Sequence, residues 1–281
     1  MTVLRRLDDP TGLRPGDHVC WTFASTGDFS TSVRLYFDEG RRRGEQLLLI
    51  GPSRPALLEA LVSLPERDEL LASGQLAVRV PAEMSDSSAA LDPIARVQAF
   101  RREVDAALDR GRSGLRIAAD VTVLARRELH ERRRLHLYER LADAMIGTVP
   151  MTALCLYDAS LQEDVLRPLN LLHPDQHDGE REPLAYLSGR GPWMSLHGEV
   201  DVTEADGLFR ALIDVASAVP GEVVLDLAEL EFLDVSGART LATATRLLAD
   251  VGVHLRLVRA RRLVGHCLGL FDVAAEQEVS A

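Results

Sequence analysis

Cysteine is scarce in this chain, with Cys20, Cys155 and Cys267 the only three in 281 residues. That number is too small, and odd, for a disulfide framework. Long apolar runs are missing too. The longest, such as Leu47–Ile50 and Met151–Tyr157, are strand-sized and fall far short of the roughly 20 residues that cross a bilayer. Basic residues are outnumbered, 32 against 43 acidic ones for a formal charge of -11, which argues against a general nucleic-acid surface. The first residues carry the acids Asp8 and Asp9 and have no apolar leader core. A cytoplasmic protein is expected, with no membrane segment and no direct nucleic-acid partner. Also lacking is a glycine-rich phosphate loop. Gly51-Pro52-Ser53-Arg54-Pro55 follows an apolar run but has neither the glycine spacing nor the Gly-Lys-Ser/Thr ending that wraps phosphates. ATP hydrolysis is disfavoured, and Arg54 is left with an anion contact or an ordinary strand-to-helix turn.

What is present is apolar content of 46%, enough for two ordinary domains with substantial cores. From Val19 to about Asn170 short apolar runs alternate with helix-period segments, the pattern of a parallel sheet covered on both faces. Strands are predicted at Val19–Phe23, Gln46–Ile50, Leu76–Val80, Leu115–Ala118 and Thr152–Tyr157. Helices are predicted at Phe29–Arg43, Pro55–Val62, Pro93–Arg110, Glu128–Ile146 and Glu163–Leu169. The stretch from Leu171 to Pro183 concentrates proline, glycine and charge without a steady period, and reads as an exposed linker. His173 and His177 fall in it and are expected to be solvated. Trp21 and Trp193 are expected to anchor domain cores. Beyond the linker, strand Trp193–His197, helix Thr203–Val219, a strand from Glu222, helix Ala238–Leu248, strand Val253–Val258 and a short helix near Arg261–Leu268 make a small sheet with helices.

In that second half, Asp234, Ser236 and Gly237 occupy the turn from a buried strand into a helix. A hydroxyl at Ser236 could cap the helix, because the first amides have no partner within it. It could also accept a phosphate, adding up to about two negative charges and three acceptor oxygens. The new charge suits helix amides but lies beside Asp234, and a partner fitted to a neutral hydroxyl would be repelled. Gly237 permits close approach of a partner's backbone, or relieves the turn. Ser236 as phosphorylation site, with Asp234, Ser236 and Gly237 as partner-binding residues, is the expectation.

Leu196-His-Gly-Glu-Val-Asp201, Val223-Val-Leu-Asp-Leu227, Phe232-Leu-Asp-Val-Ser-Gly237 and Leu255-Arg-Leu-Val258 together resemble the STAS domain of anti-sigma factor antagonists. The resemblance implies a partner that is both anti-sigma factor and serine kinase, captured only while Ser236 is unphosphorylated. Val235 departs from the family's Asp-Ser-Ser-Gly-like turn, leaving the phosphoacceptor and removing a second hydroxyl. The family's further helix after the last strand has little chain left to form it here. Gly16-Asp-His-Val-Cys-Trp-Thr-Phe23, Phe37-Asp-Glu-Gly-Arg-Arg-Arg-Gly-Glu-Gln46, Leu71-Ala-Ser-Gly-Gln-Leu76 and Thr152-Ala-Leu-Cys-Leu-Tyr-Asp158 resemble the MEDS sensory domain. That resemblance implies a RecA-like three-layer α/β domain that binds a small-molecule ligand. Ala119-Asp120-Val121-Thr122-Val123 stands where the family has a Gly-Glu-Met-Ser-Trp-like element, which puts inherited ligand chemistry in doubt. The expected organisation is a MEDS-like domain over 1–175, a linker over 176–187 and a STAS-like α/β domain with mixed sheet over 188–281.

His18 and Cys20 share one side of an extended segment, and Cys155 could lie on a neighbouring strand. Tyr138 and Glu139 match the family's Tyr-Glu pair on its long helix. His18, Cys20, Asp120, Tyr138, Glu139 and Cys155 are therefore candidates for a sensory pocket, or for core packing. Metal binding is poorly supported, because soft-metal sites show clearer Cys or His pairs. No cofactor and no catalytic residue is expected. The basic runs at Arg41–Arg43 and Arg132–Arg134 could hold acidic partners or merely finish helix surfaces. A signalling adaptor is the preferred reading, with self-association left open. The alternatives are an enzyme using a nucleotide or small organic ligand, and a constitutive scaffold.

Overall fold

Four consecutive apolar residues, Leu47-Leu48-Leu49-Ile50, alternate across a strand, so both faces of the sheet that holds them need cover. The computed structural model, which describes residues 4–80, 83, 91–179 and 181–276, supplies it. Two compact units form. One comprises Arg6–Leu161 and Asp175–Arg181; the other comprises Gln162–Pro174 and the chain from Glu182 on, with the first residues through Arg5.

The first unit holds a seven-stranded sheet of β1 (Arg5–Arg6), β2 (His18–Phe23), β3 (Gln46–Ile50), β4 (Leu76–Arg79), β5 (Leu115–Asp120), β6 (Met151–Asp158) and β7 (Asp175–His177) in the order β1-β7-β2-β6-β5-β3-β4. The pairings from β7 through β4 are all parallel. One face packs Leu47, Leu49 and Leu154 against α1 (Thr26–Arg42), α2 (Arg54–Ala60) and α3 (Arg67–Ala72). The other packs Leu48, Ile50, Ile117 and Ala153 against α4 (Pro93–Asp109) and α6 (Leu129–Ile146). Between β5 and α6 lies the one-turn α5 (Thr122–Ala125). This is the three-layer, RecA-like α/β arrangement expected.

The Asp38-Glu39-Gly40-Arg41-Arg42-Arg43-Gly44-Glu45-Gln46 segment has a structural explanation. Arg116 is fully buried, pairs with Glu45, donates to the Leu13 carbonyl at 3.0 Å and lies 4.6 Å over the Tyr36 ring. Only a glycine at 40 leaves it room, since a Cβ there would stand 2.5 Å from Arg116 Cδ and 2.7 Å from Leu47 Cδ2. Gly44, at φ +70, turns the chain out of α1 in a conformation that favours glycine. Arg41 pairs with Asp38 and Glu66, and Arg43 with Glu39, so this basic run is engaged within the unit.

The second unit contains α7 (Glu163–Asn170), β8 (Ala185–Arg190), β9 (Trp193–Val200), α8 (Ala205–Ala216), β10 (Gly221–Asp226), β11 (Leu230–Leu233), α9 (Val235–Asp250), β12 (Val253–Val258) and α10 (Arg262–Gly269). Its sheet is mixed. Strand β9 runs antiparallel to β8 and parallel to β10 and β11, and β10 runs parallel to β12. Leu196, Leu208, Leu212, Leu225, Leu241 and Leu257 form the centre of its core.

The exposed linker expected after Leu171 is not exposed. Leu171 and Leu172 are fully buried in the second unit's core, and Asp175–His177 form a strand on β2. His173 is buried rather than solvated, its Nδ1 2.8 Å from the Leu169 carbonyl. His177 stacks on Trp21 at 3.9 Å between ring centroids. Trp193, expected in a core, is 36% exposed. Helix α7 forms as predicted but belongs to the second unit: Arg167 pairs with Glu204, and Gly207 lets α8 approach, its virtual Cβ only 2.9 Å from Arg167 Cβ.

Candidate functional site

Strand β11 ends at Leu233 and α9 begins at Val235, leaving Asp234 as the residue before the helix. Asp234 is extended, and its Oδ1 accepts the Gly237 amide at 2.8 Å. The cap sequence reasoning allowed to Ser236 is thus made by Asp234, whose shorter reach from outside the helix suits the third amide. Ser236 occupies the second helical position, partly exposed, and among the described residues its hydroxyl has no protein hydrogen-bond partner. Val235 beside it is 49% exposed, as is Phe232 on β11. Gly237 is buried instead of facing outward. A Cβ there would lie 2.6 Å from Leu233 Cδ1 and 2.8 Å from Val200 Cγ1, so this glycine serves packing inside the unit rather than a partner's backbone.

In the first unit the even-numbered residues of β2 and the odd-numbered ones of β6 face α6, and here that layer is polar. Cys20 and Cys155 are register partners. His18 Nε2 lies 3.5 Å from Cys155 Sγ and 3.5 Å from Glu139 Oε2, while its Nδ1 lies 3.4 Å from Asp143 Oδ1. Tyr157 donates to Glu139 Oε1 at 2.8 Å. Glu139 and Asp143 are one turn apart on α6, which brings both carboxylates to the same sheet face. Burial opposes a charge on His18, but Cys155, Asp143 and Glu139 outweigh it and hold the imidazolium well above its ordinary range. Burial, reinforced by Glu139, pushes the Cys155 thiol up to about 11. Burial likewise drives Cys20, Tyr138 and Tyr157 up, keeping them protonated. Sequence reasoning missed Asp143 and Tyr157.

A family model for MEDS, the MEthanogen/methylotroph, DcmR Sensory domain, matches residues 17–174. The chain belongs to the MEDS family. A STAS-domain model matches residues 190–278, and no curated protein matches the chain. The protein therefore joins a MEDS sensory domain to a STAS domain, both regulatory modules rather than catalytic ones. Among the described residues no helix is long and apolar enough to cross a membrane.

The remaining two candidates of the MEDS domain, Asp120 and Tyr138, line clefts instead of joining the buried layer. A cleft of about 460 Å³ opens at the carboxyl ends of the strands, lined by Phe23 at the end of β2, Gly27 in the first turn of α1, Pro52 and Ser53 after β3, Glu59 of α2, and Asp120 at the end of β5. Open parallel sheets bind ligands in this place, where the strand order reverses. Among the described residues no arginine lines it, and the chain contains no lysine at all. The β2–α1 turn above it is capped by Ser25, which accepts the Asp28 amide at 3.1 Å. Two carboxylates and no cation make this a poor polyphosphate site. A smaller cavity of about 90 Å³ adjoins it, lined by Asp120, Tyr138, Arg96, Arg127 and Phe100. Arg54 pairs with Glu83 at 2.8 Å.

Proposed function

We propose that the protein is a cytoplasmic signalling adaptor whose STAS domain captures an anti-sigma factor with serine-kinase activity and is released by phosphorylation of Ser236, the MEDS domain serving as sensory input. The STAS family generally engages anti-sigma factors. The observation that carries the finer reading is the division of labour at the start of α9: Asp234 caps the helix, so Ser236 is left partly exposed with no structural duty of its own. A phosphate at the second helical position gains from the helix amides, while the capping Asp234 carboxylate already holds the third amide. The domain therefore tolerates the modification. A surface fitted to a neutral hydroxyl between Val235 and the rest of the turn does not, because it must bury an unpaired dianion.

The test is reconstitution with a candidate anti-sigma kinase. On adding ATP, one phosphate is expected at Ser236 by peptide mass, together with dissociation of the complex. Authentic phosphoserine at 236 is expected to weaken binding at least about 100-fold, or ~2.7 kcal/mol, with Ser236→Ala binding normally and resisting phosphorylation. A complex that forms equally well with Ser236 phosphorylated would replace this reading with constitutive scaffolding.

A further inference from the structure

Three donor atoms of different chemistry converge in the polar layer of the MEDS domain. His18 Nε2 is 3.5 Å from Cys155 Sγ and 3.5 Å from Glu139 Oε2, and Cys155 Sγ is 3.8 Å from that same oxygen. The nitrogen-to-oxygen separation exceeds the about 2.7–3.2 Å of a good N–H···O bond. It matches another geometry. With metal–sulfur, –nitrogen and –oxygen distances of about 2.3, 2.05 and 2.1 Å and a tetrahedral angle of ~109°, donors sharing one ion stand about 3.4–3.6 Å apart. The three atoms thus approximate one face of a coordination tetrahedron.

An independent feature lies behind them. Asp143 Oδ1 stands 3.4 Å from His18 Nδ1, the ring nitrogen turned away from the cluster, and the Tyr157 hydroxyl holds Glu139 Oε1 at 2.8 Å. Each outer partner engages the atom that is not part of the triangle, leaving Nε2 and Oε2 directed at the sulfur. Metal sites orient their ligands in this way, with a carboxylate on the far nitrogen of the histidine.

We propose that His18, Glu139 and Cys155 bind a divalent transition metal of the zinc type. A thiolate donor disfavours magnesium and calcium, which take oxygen ligands. Thiolate and carboxylate together balance the two positive charges, with the imidazole neutral, so the filled site carries no net charge. That matters where the three residues are at most 5% exposed, because an uncompensated buried ion is expensive. Loading expels the thiol proton of Cys155 and the Nε2 proton of His18, leaving Nδ1–H for Asp143.

The probe is cobalt(II), supplied in minimal medium during expression of the full chain so that the ion is present as the buried site closes. About one cobalt per folded chain is expected, with a near-ultraviolet thiolate-to-cobalt charge-transfer band and the visible bands of tetrahedral cobalt. Cys155→Ser is expected to lose the charge-transfer band, and Cys267→Ser to keep it. Asp143→Asn should keep the band but bind about 10- to 100-fold more weakly in competition with a chromophoric chelator. Folded wild-type protein without the band, or a band that survives Cys155→Ser, overturns the proposal. The wild-type spectrum decides alone if the serine variant does not fold.

Discussion

Replacing Gly40 by alanine sets two effects of opposite sign against each other. Alanine is favoured over glycine inside a helix by about 1 kcal/mol. Against this, the new methyl would stand 2.5 Å from Arg116 Cδ, 2.9 Å from Arg116 Nε and 2.7 Å from Leu47 Cδ2. Overpacking of this kind costs about 1–3 kcal/mol, and here neither neighbour can yield. Leu47 is clamped in the core between α1 and the sheet, and the Arg116 head is fixed by Glu45, the Leu13 carbonyl and the Tyr36 ring. Displacing the guanidinium from Glu45 would expose a buried pair to a loss of about 3–5 kcal/mol. A net destabilisation of about 2–4 kcal/mol follows. The control is Gly265, interior to α10 with open space where its Cβ would be, where alanine should stabilise by up to about 1 kcal/mol. Urea titrations followed by tryptophan fluorescence separate the two, since Trp21 lies in the first unit and Trp193 in the second. A Gly40→Ala protein as stable as wild type, with Gly265→Ala equally unchanged, would refute the packing argument.

Tyr36→Phe removes a buried hydroxyl that has no partner among the described residues while keeping the ring under Arg116. At neutral pH the variant should match wild type or gain up to about 1 kcal/mol in urea unfolding. Burial raises the Tyr36 phenol well above 10, so above pH 10 the unfolded chain gives up its proton first and wild-type stability falls; Tyr36→Phe should flatten that alkaline limb. Asp234→Ala should lose about 0.5–2 kcal/mol with its cap, whereas Ser236→Ala should stay within about 0.5 kcal/mol, read as thermal midpoints; the reverse order would return the cap to the serine. Isothermal titration of the whole protein with Mg-ATP should show no binding, because the cleft of about 460 Å³ at the strand ends offers carboxylates and no cation among its described lining residues, and the adjoining cavity with Arg96 and Arg127, about 90 Å³, is too small for a nucleotide.

Period and composition were enough for the regular elements. Gln46–Ile50 and Val253–Val258 have the limits predicted for them, because apolar runs bounded by glycine or charge state their own ends. The failures are where tertiary partners decide. Asp175-Gln176-His177 has no strand period; it is a strand because β2 offers a free edge and Thr22 donates to the His177 carbonyl at 2.9 Å. Glu139 lies far from His18 in sequence, and only the β2–β6 adjacency under α6 unites them. One local signal was available: Glu139 falls among Leu135, Ala142 and Ile146 on the buried side of α6, where His136 and Arg140 are buried as well, and a buried acid needs polar company. At Ser236 the motif marked the turn, but which side chain capped it depended on reach, which spacing alone does not show.

The chain changes unit after residues 5, 161, 174 and 181. A gene fragment cut at the single seam suggested by the family matches would therefore be faulty on both sides. Ending at 174 removes Asp175–His177 from the sheet beside β2, and starting at 190 removes Leu171, Leu172 and strand β8 from the other fold. Each module borrows chain from beyond its own family limits. A replacement half spliced in at that seam would have to supply these returns as well.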